Sequence, residues 1–279
     1  MFNGELVKVL LENAERKKEM LSLSQVVLAF ASGSSQHGAR IEGKSDLDVA
    51  AVYIGSPVFE LAIGNEDPRK NGHITAGTSD QYEKNTADDT DLKSYTLRRW
   101  AGLALKGNPT ILSYLFVPND IKDSHVTHPS VWDTFILPHR SLFLASGHAA
   151  AFLGLGDSQY KRMLGLQGAG KHGQRDELID VHGYDTKAAM HMVRSMDECL
   201  ELLATGFMTF PRPNRETLLE IRRGEWGMER IKDEYNRLRV AVQEAEKVSP
   251  LPPKCDRDAV NKVVSDAMIH HWKYMEAII

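Results

Sequence analysis

Two short apolar runs with a glycine turn and a pair of aspartates between them limit what this chain can become. Residues 26–30 read Val-Val-Leu-Ala-Phe and lead into Ala31-Ser32-Gly33-Ser34-Ser35; residues 47–54 are apolar, partly β-branched, and stop at Gly55-Ser56-Pro57. Apolar runs of that length, closed by turn-forming residues, predict buried strands. The polar link between them ends in Asp46, and Asp48 is the second residue of the second run. The chain therefore carries a strand, a sharp turn and a second strand headed by two carboxylates.

The rest of the chain reads around that unit. Residues 5–21 predict an amphipathic helix, and residues 91–95 alternate polar and apolar as a third strand. Residues 64–90, rich in Gly, Asn, Asp and Thr, predict a long loop. Residues 97–106 predict a helix closed by Gly107-Asn108-Pro109. Residues 111–117 and 132–146 are apolar and helical in pattern. Further helices are expected over 158–166, 186–205, 215–223, 228–247 and 256–277, the last capped by Asp256. Leu251-Pro252-Pro253 is a break. The organisation expected is an α/β core over residues 1–125 and a mainly helical domain over 126–279.

Bulk properties exclude little. With 279 residues and 42% apolar content the chain can bury a sizeable core. A net charge of -4 gives no whole-chain argument for nucleic-acid binding, though a local basic patch remains compatible with it. Cys199 and Cys255 match no zinc spacing and read as two reduced thiols. No run is long enough to span a bilayer, and the amphipathic start lacks the features of a signal peptide, so no membrane partner is expected and a cytoplasmic location is the default.

The aspartates carry the chemistry. Residues i and i+2 of a strand point to one face, so Asp46 and Asp48 can project together while Leu47 and Val49 pack on the other. Hard carboxylate oxygens suit magnesium or manganese, which need only one or two such ligands plus phosphates. Gly33 lets the backbone turn close to a ligand. Ser34 and neighbouring N–H groups can donate to phosphate oxygens. Asp-x-Asp recurs at 89/91 and 256/258, and only 46/48 has this strand-and-turn context.

Ala31-Ser32-Gly33-Ser34, eleven residues, then Asp46-Leu47-Asp48-Val49 resembles the signature of the DNA polymerase β-like nucleotidyltransferases. Ser32, small and polar, departs from the large apolar residue that usually precedes the glycine. The order Asp91, Leu97-Arg98-Arg99-Trp100, Lys106-Gly107-Asn108-Pro109-Thr110, Gly183-Tyr184-Asp185-Thr186-Lys187, His191, Arg194, Ile221-Arg222-Arg223-Gly224-Glu225 and Leu251-Pro252-Pro253 resembles the YcgL-type branch. The resemblance implies an α+β fold, a mixed sheet flanked by helices with a helical C-terminal region. It implies a nucleoside triphosphate substrate, a Mg2+ or Mn2+ cofactor at Asp46, Asp48 and a third carboxylate, and transfer of a nucleoside monophosphate to a hydroxyl or phosphate. Asp91 matches the third carboxylate, with Asp89 as fallback. The acceptor stays open among an RNA end, a protein and a small molecule, as does oligomeric state. The alternative is a non-catalytic nucleotide-binding sensor or regulatory module, which the intact Gly-Ser and Asp-x-Asp disfavour.

Lys187, His191 and Arg194, spaced i, i+4 and i+7, share a helix face. By themselves they read as a solvated basic stripe; by the resemblance they join Gly33 and Ser34 in holding the nucleotide, with Lys171 and His172 upstream. Arg222 and Glu225 read equally as a structural salt bridge. Residues 165–171 outline a phosphate loop but His172 replaces its Ser or Thr and no strand precedes it. Met190, Met192 and Met196 read as helix packing.

Overall fold

The structure, a computed structural model, describes residues 4–16, 25–40, 46–61, 73–77, 90–123, 126, 131–166 and 176–276. Its elements in chain order are α1 (Glu5–Arg16), β1 (Val26–Ala31), β2 (Leu47–Tyr53), β3 (His73–Gly77), β4 (Thr90–Thr96), α2 (Leu97–Ala104), α3 (Ala149–Met163), α4 (Asp176–His182), α5 (Thr186–Thr205), α6 (Arg215–Arg223), α7 (Met228–Val248) and α8 (Arg257–Glu276). Single helical turns lie between them, as at Ser34–His37 and Pro109–Leu112. The class is α+β, as expected.

Two compact units result: residues 1–105, 114–143 and 256–279 in one, 106–113 and 144–255 in the other. This differs from a single division at residue 125. The periodicity of α8 shows that it has an apolar face but not which partner covers it. It returns to the first unit, where it contacts α2 and the helical turn Trp132–Ile136.

The first unit is built on a four-stranded mixed sheet in the order β1-β2-β4-β3. β1 and β2 are antiparallel, β2 and β4 parallel, β4 and β3 antiparallel. β3 lies inside the stretch expected to be a loop. Its residues, His-Ile-Thr-Ala-Gly, are too few and too weakly patterned to register as a strand, and the pairing with β4 makes them one. On one sheet face Ala29, Ala31, Val49, Ala51, Tyr53 and Leu92 cluster with Leu6, Val7 and Leu10 of α1. Burying a side chain of this size contributes about 1.5–3 kcal/mol, so this seam anchors α1. Its start is tied down by Asp123, which accepts from the N–H groups of Gly4 at 2.8 Å, Leu6 at 3.0 Å and Val7 at 3.1 Å. Asp123 N in turn donates to the Ala29 carbonyl at 2.9 Å. On the opposite face Phe30 meets Tyr114 edge-on, ring centroids 4.8 Å apart. Trp100 of α2 is packed between Trp132 and Phe143 at 4.7 and 5.1 Å.

The second unit is helical, with α5 contacting α3, α4, α6 and α7. Met190, Met192 and Met196 are buried in it, as their spacing predicts. Gly156 of α3 lets the helices approach: a Cβ there would lie 2.4 Å from Met196 Cε. α3 begins well before the expected residue 158, because its first half is rich in Ala and Gly and has no clear amphipathic period. Cys199 and Cys255 are free thiols, and burial pushes them up to about 12 and about 11. Among the described residues no helix is long and apolar enough to cross a membrane.

Candidate active site

The decisive feature is a row across the sheet. Because β2 and β4 are parallel neighbours, Asp48 stands in register with Asp91, and β3 places Gly77 opposite Asp91 on the far side. Paired residues of adjacent strands share a face, with strands about 4.8 Å apart, so Asp48 and Asp91 project together. Val49 and Leu92, one residue on, are 1% exposed and face the core beneath α1. Both strands begin one residue before the row, so the carboxylates sit at the rim, partly exposed, with β2 buried behind Asp48 and Leu92 buried behind Asp91.

The turn after β1 closes on the same rim. Ser32 N donates to the Asp48 carbonyl at 2.8 Å, continuing the β1–β2 pairing to the aspartate. Gly33 follows with φ 58. A Cβ on Gly33 would lie 2.0 Å from Asp48 Oδ2 and 2.8 Å from its Cγ. No larger residue fits unless the carboxylate moves, and φ in this range is already costly for any residue with a Cβ. Ser34 opens the helical turn Ser34–His37, whose backbone returns through Ala39 N donating to Ser34 O at 3.0 Å. The Gly33-Ser34 turn thus lies directly against the Asp48 carboxylate.

Asp46 precedes β2 and lies outside the β2–β4 ladder. Among the described residues no three His, Cys, Asp or Glu side chains converge on a point suited to an ion. Asp46, Asp48 and Asp91 therefore form no ready three-ligand cluster. The arrangement still fits a divalent ion of the magnesium type. Such an ion takes one or two carboxylates and completes its octahedron with water and phosphate oxygens, and the bare Gly33 backbone lets the Asp48 carboxylate lie against the turn whose donors would face those phosphates. Asp89 lies outside the described residues.

Lys187, His191 and Arg194 lie on α5 in the second unit, in the less buried stripe of a helix otherwise mostly enclosed. Arg194 is largely buried, and its Nη1 is 3.8 Å from Glu198 Oε1, so part of its charge is balanced within the helix. Lys171 and His172 lie outside the described residues.

The other family-like stretches are mostly scaffold. Asp185 caps α5, accepting from Ala188 N at 3.0 Å, and Tyr184 is buried with its hydroxyl donating to the Trp226 carbonyl at 2.6 Å. Asn108 Oδ1 accepts from Ile111 N at 3.2 Å and caps the turn Pro109–Leu112. Pro252 O accepts from Ser146 N at 2.8 Å. Glu225 pairs with Arg223, rather than with Arg222 as the spacing had left open.

Residues 4–266 match the family described as RlaP, the RNA repair pathway DNA polymerase beta family. The chain belongs to this family. A further relative is an uncharacterized 38.9 kDa protein from the nrdC-mobD intergenic region of Enterobacteria phage T4. It is 29% identical over 135 residues, covering 48% of this chain and 38% of the phage protein. The chain thus aligns with less than half of that relative's length. RlaP membership bears out the polymerase β-like superfamily. It does not confirm the narrower YcgL-type placement, whose motifs are largely turns and caps that many helical scaffolds need.

Proposed function

We propose that this RlaP-family protein is a metal-dependent nucleotidyltransferase that moves a nucleoside monophosphate from a nucleoside triphosphate to a hydroxyl at an RNA end, releasing pyrophosphate. The observation that carries the reading is the register of Asp48 with Asp91, closed on one side by the Gly33 turn. The RNA acceptor is taken from the family's description.

In this reading Gly33 and Ser34 present backbone and hydroxyl donors to the β- and γ-phosphates. Asp46, Asp48 and Asp91 supply the oxygens that would hold Mg2+ or Mn2+, which when bound stabilises charge on the attacking and leaving oxygens. Asp91 accepts the proton of the acceptor hydroxyl as that oxygen bonds to the α-phosphorus. The bond from the α-phosphorus to the β-phosphate oxygen breaks, and pyrophosphate departs with its electron pair. Lys187, His191 and Arg194 belong to the reading as nucleotide-binding residues. An unchanged KM for nucleoside triphosphate after substitution to Gln would remove each of them from it.

The test uses the full chain, each labelled nucleoside triphosphate, Mg2+ or Mn2+, and short RNAs with defined 3′ and 5′ ends. Label joined to RNA with release of pyrophosphate is expected, and Asp48→Asn should lower turnover by at least a hundredfold with the fold intact by circular dichroism. Wild-type turnover by that variant, or stable nucleotide binding with no pyrophosphate released, overturns the assignment; the latter result favours the sensor alternative.

A further inference from the structure

The carboxylate face of the sheet continues past Asp91. Lys93 lies two residues along β4 and so on the same face, about 6.6 Å further along the strand. Its neighbours in register are Ala50 of β2 and Thr75 of β3. Lys93 is exposed, whereas Leu92 and Ser94 on either side are 1% and 0% exposed and point to the other face. The β1–β2 half of the same face is closed, with Phe30 and Ala50 0% and 1% exposed. The β4 half is open at Lys93, and this cation stands beside the row that carries Asp48 and Asp91.

Direction across the sheet gives the lysine a role. In nucleotidyl transfer the attacking and leaving oxygens lie roughly in line on opposite sides of the α-phosphorus. The Gly33-Ser34 turn follows β1, two strands from β4 and so roughly 10 Å away. If that turn holds the departing phosphates, the acceptor approaches from the β4 side, where Asp91 and Lys93 stand. A lysine is a mobile point charge suited to a phosphate.

We propose that Lys93 binds a backbone phosphate of the acceptor strand, adjacent to the nucleotide whose hydroxyl attacks. This rests on the function proposed above and narrows the acceptor to one with a phosphate close to its reactive hydroxyl, as in a polynucleotide.

Two measurements on the full chain separate this from the broader reading. The first is equilibrium binding of a fluorescent single-stranded RNA over a range of salt, in an Asp48→Asn background and without nucleoside triphosphate, so that no turnover occurs. Lys93→Gln should weaken binding about tenfold and reduce the slope of log affinity against log salt by about 0.7, the value for one phosphate contact on a single strand. Lys93→Arg should preserve most of both. The second is steady-state transfer in the otherwise unaltered chain, where Lys93→Gln should raise KM for RNA and leave KM for nucleoside triphosphate unchanged. RNA binding and salt slope unaffected by Lys93→Gln, absence of RNA binding altogether, or a rise in KM for nucleotide instead of RNA each overturns the role of Lys93. Failure of the unaltered chain to transfer label, with RNA binding still dependent on Lys93, overturns the proposed reaction and leaves the lysine contact standing.

Discussion

At the scale of single residues, Gly33 shows how one position can serve fold and chemistry together. Its positive φ and its contact with Asp48 both exclude a side chain. Gly33→Ala should destabilise the protein by about 1–2 kcal/mol from the backbone alone. It should also displace the carboxylate, so Mn2+ affinity should fall together with the denaturation midpoint. Gly102 makes the internal control. It is exposed in α2, and a Cβ there meets nothing within 4 Å. Gly102→Ala should leave metal affinity unchanged and stabilise by up to about 1 kcal/mol through helix propensity. Asp123 offers a purely structural counterpart. Its carboxylate answers three N–H groups at the start of α1, two of them buried, so Asp123→Ala should cost about 2 kcal/mol, read by urea denaturation. Nothing in the local sequence marks Asp123, because the donors it serves are more than a hundred residues away.

Among the elements, α8 carries the clearest dependence on pH. Its start is capped as expected, with Asp256 Oδ1 accepting from Asp258 N and Ala259 N at 3.0 Å each. Further along, Trp272 Nε1 donates to the Gly55 carbonyl at 2.9 Å, which pins the helix to the loop after β2. Beside it His271 is 1% exposed, and neither ring nitrogen finds a hydrogen-bond partner among the described residues. Burial, with a smaller contribution from His270, lowers its pKa from 6.5 to about 4. The folded state therefore keeps this imidazole neutral while the unfolded chain takes up a proton below about pH 6.5. Stability from this group is full above that pH and declines as pH falls toward 4, by at most about 1.4 kcal/mol per unit. Unfolding free energies measured between pH 7 and 4.5 should show a shallower decline for His271→Leu than for the unaltered chain. A decline of equal slope in both would remove His271 as its source.

On the scale of the whole molecule, the first unit is closed by its last segment. α8 contacts α2 and the turn Trp132–Ile136, so a chain ending at Cys255 should lose the first unit's integrity. Limited proteolysis of that truncation should cut within residues 1–105 under conditions where the full chain resists. A protected first unit would show that α8 is dispensable.

The sequence alone established the strands around Gly33, the paired aspartates and the polymerase β-like superfamily. It also placed α5 and α6, whose expected bounds 186–205 and 215–223 coincide with the structure. These depend on local periodicity, caps and turn residues, which a segment carries within itself. Tertiary structure decided the strand order β1-β2-β4-β3, and with it the placement of Asp91 beside Asp48, the strand hidden in a polar stretch, the exposed Lys93 and the interleaving of the two units. The physical reason is that periodicity tells which side chains share a face, whereas the partner of that face is chosen by packing and hydrogen bonding between segments far apart in the chain.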